Sequence, residues 1–131
     1  MKDKILIDTS VWIEFFRKSG SEVSTKLKGI LSEERAVVTG IISLELQRGA
    51  AGETELKFLD RFLAAIHYIP TKEESYKNAG FMGYNLSKKG IHIGTVDLLI
   101  AQAAIENSIP LYTLDKHFKE IARHFPLLLF A

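Results

Sequence analysis

The chain has 131 residues, 47% hydrophobic and 25% charged, with 17 Lys and Arg against 16 Asp and Glu and a formal net charge of +1. Those values describe a single globular domain, residues 1–131, and exclude disorder and attachment to nucleic acid by bulk charge alone. The absence of cysteine excludes disulfides, thiolate catalysis and cysteine-ligated zinc or iron–sulfur sites. Met1 to Lys4 lead into only a short apolar run, which is no signal peptide, and runs such as Leu127 to Ala131 are too short to cross a bilayer. The expectation is a cytoplasmic protein with no membrane partner.

In chain order, Ile5-Leu6-Ile7 reads as a buried parallel strand, and the i, i+4 pairs Val11/Phe15 and Trp12/Phe16 predict a short helix after it. Past a break at Ser19-Gly20-Ser21, Val23, Leu27, Ile30 and Leu31 line one helix face, and Ala36 to Val38 follow as a second strand. After the break at 49–52, Leu59, Phe62, Leu63 and Ile66 give a helical face that runs up to a third strand candidate, Ile66 to Ile69. Tyr76, Ala79, Gly83 and Leu86 form a further stripe, with Gly80 and Gly83 allowing close approach to a neighbour. Val96 to Ile105 is apolar nearly all round, which predicts a helix buried on most sides. Leu111-Tyr112 reads as a strand, Phe118, Ile121, Ala122 and Phe125 as a helix face, and Leu127 to Phe130 as the last strand. Strand–helix alternation implies a parallel sheet covered on both faces, whose ligands bind beyond the carboxyl ends of the strands where strand order reverses.

There is no phosphate-binding Gly-rich loop, no Gly-x-Ser-x-Gly elbow and no His-Glu-x-x-His pair. His117 and His124 are seven apart, and a solvated helix face explains them. Hydride-transfer, serine-hydrolase and zinc-hydrolase chemistries lose most of their support.

Four acids stand in apolar company. Asp8 closes the first strand, Glu45 lies between Leu44 and Leu46, Asp97 between Val96 and Leu98, and Asp115 follows Leu111-Tyr112-Thr113. Singly, each has an ordinary explanation: Asp8 and Asp115 can cap helices, Asp97 can sit in a helix first turn, and Glu45 can pair with Arg48. Jointly they point to one end of the sheet. Carboxylates about 4 Å apart repel by several kcal/mol at an effective dielectric of roughly 20, so such a cluster protonates or binds a cation. Hard oxygen ligands suit Mg²⁺ or Mn²⁺, and such metals bind substrate phosphates. The hydroxyls of Thr9, Ser10, Thr95 and Thr113 are placed to orient carboxylates or a metal-bound water, with plain N-capping as the alternative.

Four blocks, Ile7-Asp8-Thr9-Ser10, Ile42 to Gly49, Ile93 to Ala101 and Leu111 to Phe118, resemble the motif blocks of PIN-domain ribonucleases, closest to the VapC-type toxins of toxin–antitoxin pairs. The resemblance covers essentially the whole chain. It implies an α/β fold: a three-layer α/β/α domain with a five-stranded parallel sheet of order 3-2-1-4-5 and about seven helices. It also implies that Asp8, Glu45, Asp97 and Asp115 are the catalytic, Mg²⁺- or Mn²⁺-binding acids of an endoribonuclease. The implied partners are an RNA substrate, an antitoxin whose C-terminal segment fills the groove, and a second copy in a homodimer. Many members carry a further acid two positions after the fourth, where this chain has His117, so the second metal position is expected to be weaker or differently coordinated.

A metal-made hydroxide needs no 2′-OH, so the products expected carry 5′-phosphate and 3′-hydroxyl ends. Arg17, Arg48, Lys88, Lys89 and Lys116, with His92, Lys119 and Arg123, are candidates for phosphate contacts. The alternative is a PIN-like domain that binds RNA or protein without cutting. A phosphotransfer receiver wants an acidic pair at Asp8, and an aspartyl-phosphate phosphatase wants Asp where Ser10 stands, so both fit poorly.

Overall fold

The computed structural model describes residues 3–131; Met1 and Lys2, the first two residues of the expected single domain and of the segment read as no signal peptide, lie outside the described residues. The order is β1 (Ile5–Ile7), α1 (Thr9–Arg17), α2 (Glu22–Ser32), β2 (Ala36–Thr39), α3 (Gly40–Arg48), α4 (Glu53–Ala64), β3 (His67–Ile69), α5 (Glu73–Lys88), α6 (Thr95–Glu106), β4 (Leu111–Tyr112) and α7 (His117–Ala122).

The strands pair in parallel in the order β3-β2-β1-β4. The chain steps outward from β1 to β3, then returns to the far side of β1. Right-handed crossovers in opposite directions put α1–α4 and α5–α6 on opposite faces of the sheet. The reversal lies between β1 and β4, so the crevice expected to hold a ligand opens beside Asp8.

The expected fifth strand is reduced to a parallel bridge between Leu111 and Leu129. Leu111 donates to Leu128 O and accepts from Phe130 N, each at 2.8 Å. The cause is the shortness of β4: it spans only Leu111–Tyr112, so little backbone is left to pair outward. Expected as buried, β3 instead exposes His67 and Tyr68, because it is the edge strand. α7 ends at Ala122, which leaves Phe125 and His124 past the helix.

β1 is fully buried, and β2 nearly so, as apolar runs between two helical layers must be. Trp12 stacks on Phe16 (6.0 Å between centroids) and meets Phe62 edge-on at 5.7 Å, which fixes α1 against α4. On the other face α5 and α6 pack so closely that a Cβ at Gly83 would lie 2.6 Å from Leu98 Cδ1. Leu98 follows Asp97, so this contact helps set the position of the third acid. No helix among the described residues is long and apolar enough to cross a membrane.

Candidate active site

Asp8 leaves β1 as the N-cap residue of α1, but its side chain makes no capping hydrogen bond. The carboxylate is instead 4% exposed and held on one oxygen. Ser10 Oγ and Thr113 Oγ1 each donate to Asp8 Oδ2 at 2.7 Å. Both hydroxyls also accept: Ser10 Oγ from Leu114 N at 3.1 Å, and Thr113 Oγ1 from Asp115 N at 3.0 Å. Consecutive amides of the loop after β4 are thereby tied to the acid that ends β1. Asp8 Oδ1 receives no hydrogen bond among the described residues.

Glu45 projects from α3, and Thr9 Oγ1 donates to its Oε1 at 2.6 Å. The alternative pairing with Arg48 does not form among the described residues. Asp97 is the third residue of α6, N-capped by Gly94. Burial pushes its carboxyl above the ordinary value of 3.8, and the charges of Asp115, Asp8 and Glu45 push it further, in that order, with His117 opposing. Asp115 Oδ1 accepts from His117 N at 2.9 Å, an i to i+2 bond just ahead of α7, whose N-cap residue is Lys116, and lies 3.2 Å from His117 Nδ1.

The structure therefore brings together all four acids, with Thr9, Ser10 and Thr113 as their hydroxyl partners. Thr95 does not join them: it is exposed, and its side chain makes no hydrogen bond among the described residues. His117 is solvated, with its side chain 70% exposed, yet it lies beside two of the acids. Ligand atoms of Asp97, Asp115 and His117 all lie within 4.8 Å of one another. Its partner is set by the Asp-x-His spacing at a helix start, and no helical stripe reveals that.

A cation fits these residues. Asp8 Oδ1 has no donor, the Asp97 carboxylate receives no hydrogen bond, and no Lys or Arg pairs with any of the four acids among the described residues. Like charges gathered in partial burial are relieved by a hard divalent ion.

The basic candidates are exposed and scattered. Lys88 ends α5 with its Nζ 5.4 Å from the Tyr84 ring centre, Lys89 follows it, and Lys116 sits between Asp115 and His117. Arg48 ends α3, and Arg123 pairs with Glu120 at 3.4 Å. Arg17 and Glu45 share a groove of about 490 Å³ also lined by Ile13, Phe16, Phe58 and Leu59.

Comparisons with known proteins identify the family and the fold. A family profile for the PIN domain matches residues 5–124. The chain belongs to the PIN domain family. This PIN domain is 30% identical over 123 residues to a VapC ribonuclease of Mycobacterium bovis, covering 91% of this chain and 92% of that protein. It is 29% identical over 129 residues to ribonuclease VapC1 of Methanocaldococcus jannaschii, covering 98% and 88%. Among solved structures it is similar to VapBC2 of Rickettsia felis bound to a promoter DNA fragment, with a TM-score of 0.77, 25% identity and 96% of each chain covered.

Proposed function

We propose that this PIN domain is a metal-dependent endoribonuclease, the toxin of a VapBC-type pair. The observation that carries the reading is the gathering of Asp8, Glu45, Asp97 and Asp115 at the strand switch point, with one oxygen of the buried residue Asp8 left free of donors among the described residues. A domain that only bound RNA would keep these repelling charges together at a cost and to no purpose. The ribonuclease names of its relatives support the same reading.

In this mechanism Asp8, Asp97 and Glu45 would hold one Mg²⁺ or Mn²⁺, directly or through water. Asp115 and His117 would place a second ion or the attacking water. The chemistry an ion held by these residues would supply is a lowered pKa for water and polarisation of the scissile phosphate. Ser10 and Thr113 keep Asp8 fixed and tie the Asp115 loop to it, so the ligands are set before substrate arrives. Thr9 does the same for Glu45. Thr95, at the start of the helix that carries Asp97, is the one supporting hydroxyl with only its position in its favour.

Lys88, Lys89 and Lys116 are proposed to meet RNA phosphates, with Arg48 further along α3. The apolar groove beside Glu45, with Arg17 at its edge, is proposed to take the C-terminal segment of a cognate antitoxin. The working unit is a homodimer of single-domain chains, and its RNA substrate places it in the cytoplasm.

The reading is tested by induced expression. Wild type is expected to arrest growth and Asp8→Asn to leave growth normal at the same protein level. Equal arrest by both would refute it.

A further inference from the structure

Thr39 is the last residue of β2 and the N-cap residue of α3. It is 1% exposed, and its hydroxyl is buried without a hydrogen-bond partner among the described residues. Threonine is a preferred N-cap, yet this side chain does not cap its helix. A buried hydroxyl with no partner opposes folding, so the fold as it stands gives no reason for it.

The sheet register gives one. β1 pairs with β2 as Ile5 with Ala36 and Leu6 with Val37, and two further steps set Asp8 opposite Thr39. On the other side β1 pairs with β4 as Leu6 with Leu111 and Ile7 with Tyr112, and one further step sets Asp8 opposite Thr113. In-register residues of parallel strands project to the same face. Thr39, Asp8 and Thr113 thus form a row across the carboxyl edge of the sheet, with a threonine on either flank of the buried acid. The Thr113 hydroxyl is used, on Oδ2 at 2.7 Å. The opposite oxygen, Oδ1, has no donor, and the opposite threonine has no acceptor.

We propose that Thr39 is a positioning residue for the metal-loaded site: its hydroxyl donates to the Asp8 carboxylate when that carboxylate turns to hold a cation. In this fold Asp8 is drawn to the β4 side by Thr113 and Ser10, and the Thr39 hydroxyl has no partner among the described residues. Ligation turns the carboxylate, and a donor on the β2 side then fixes its new orientation. The inference rests on the metal-dependent reading above and adds a residue to it.

The experiment is calorimetric titration of Mn²⁺ into the full-length protein, alongside its thermal midpoint in EDTA, for wild type, Thr39→Val, Thr39→Ser and Asp8→Asn. Thr39→Val keeps the shape and removes the hydroxyl. Its cation-free midpoint is expected to equal or exceed that of wild type, while its Mn²⁺ affinity falls about tenfold or more. Thr39→Ser, which keeps the hydroxyl, is expected to bind Mn²⁺ as wild type does. Wild-type affinity in Thr39→Val, with binding lost in Asp8→Asn, would overturn the role of Thr39 and leave the metal reading standing. A lower cation-free midpoint in Thr39→Val would also overturn it, by showing that the hydroxyl serves the fold. Absence of Mn²⁺ binding in wild type, or undiminished binding in Asp8→Asn, would overturn the metal reading and this inference with it.

Discussion

The Thr113 hydroxyl donates to Asp8 Oδ2 at 2.7 Å. The same hydroxyl accepts the Asp115 amide at 3.0 Å, so one oxygen couples the acid at the end of β1 to the loop that carries another. Removing it with Thr113→Val is expected to weaken Mn²⁺ binding by about 10-fold to 100-fold, the usual effect of losing a group that orients a ligand. Calorimetry of the variant checks this; an unchanged affinity would mean that Asp8 is held well enough by Ser10.

Asp97 is held above its ordinary 3.8, first by burial and then by Asp115, Asp8 and Glu45. An acid with a raised folded-state pKa binds protons more readily folded than unfolded. Its contribution to stability therefore falls as pH rises from 3.8 through the raised value. Above that window the ionised group is a burden, and Asp97→Asn is expected to raise the cation-free thermal midpoint at neutral pH. Metal binding requires the ionised form, so wild-type affinity is expected to drop as pH falls through the raised value. Thermal melts in EDTA and titrations across the acid range report the two effects separately.

His117 presents an imidazole within 4.8 Å of the carboxylates of Asp97 and Asp115. Imidazole suits later divalent metals better than Mg²⁺, which prefers oxygen. His117→Ala is expected to weaken Mn²⁺ binding while leaving Mg²⁺ binding nearly unchanged. Equal losses for both ions would place the imidazole outside the coordination sphere.

Gly83 is where α5 meets Leu98, whose Cδ1 lies 2.6 Å from the site of an added Cβ. Gly83→Ala is expected to cost about 1–3 kcal/mol by overpacking. Trimming the neighbour in Gly83→Ala/Leu98→Val should recover part of that loss, because the crowded atom is the far end of the leucine. Denaturant unfolding of the two variants gives the comparison.

The sequence made the acids readable through their neighbours. Asp8 stands directly after Ile5-Leu6-Ile7, and a charge that ends an apolar strand needs a reason. Asp97 is the one charge between Val96 and Ile105. What stayed hidden depends on contacts across the fold. The Ser10–Leu114 and Thr113–Asp8 bonds join residues more than a hundred positions apart, and they form only because β4 returns beside β1. His117 was read by helical spacing with His124, yet α7 begins at His117 and ends before His124, so the pair shares no helix face. Thr39 looks like any threonine ahead of a helix; only the sheet register sets it beside Asp8. Leu127 to Phe130 has the composition of a strand, but the two residues of β4 give it little to pair with.

RNA cleavage followed by mapping of the product ends, with wild type and Asp8→Asn assayed in Mg²⁺, in Mn²⁺ and in excess EDTA, is the most direct measurement. Wild type is expected to cut only with the divalent ion and to leave 5′-phosphate and 3′-hydroxyl ends, while Asp8→Asn folds normally and does not cut. Cleavage by wild type in EDTA, or full activity in Asp8→Asn, would contradict a site built on Asp8 and a cation.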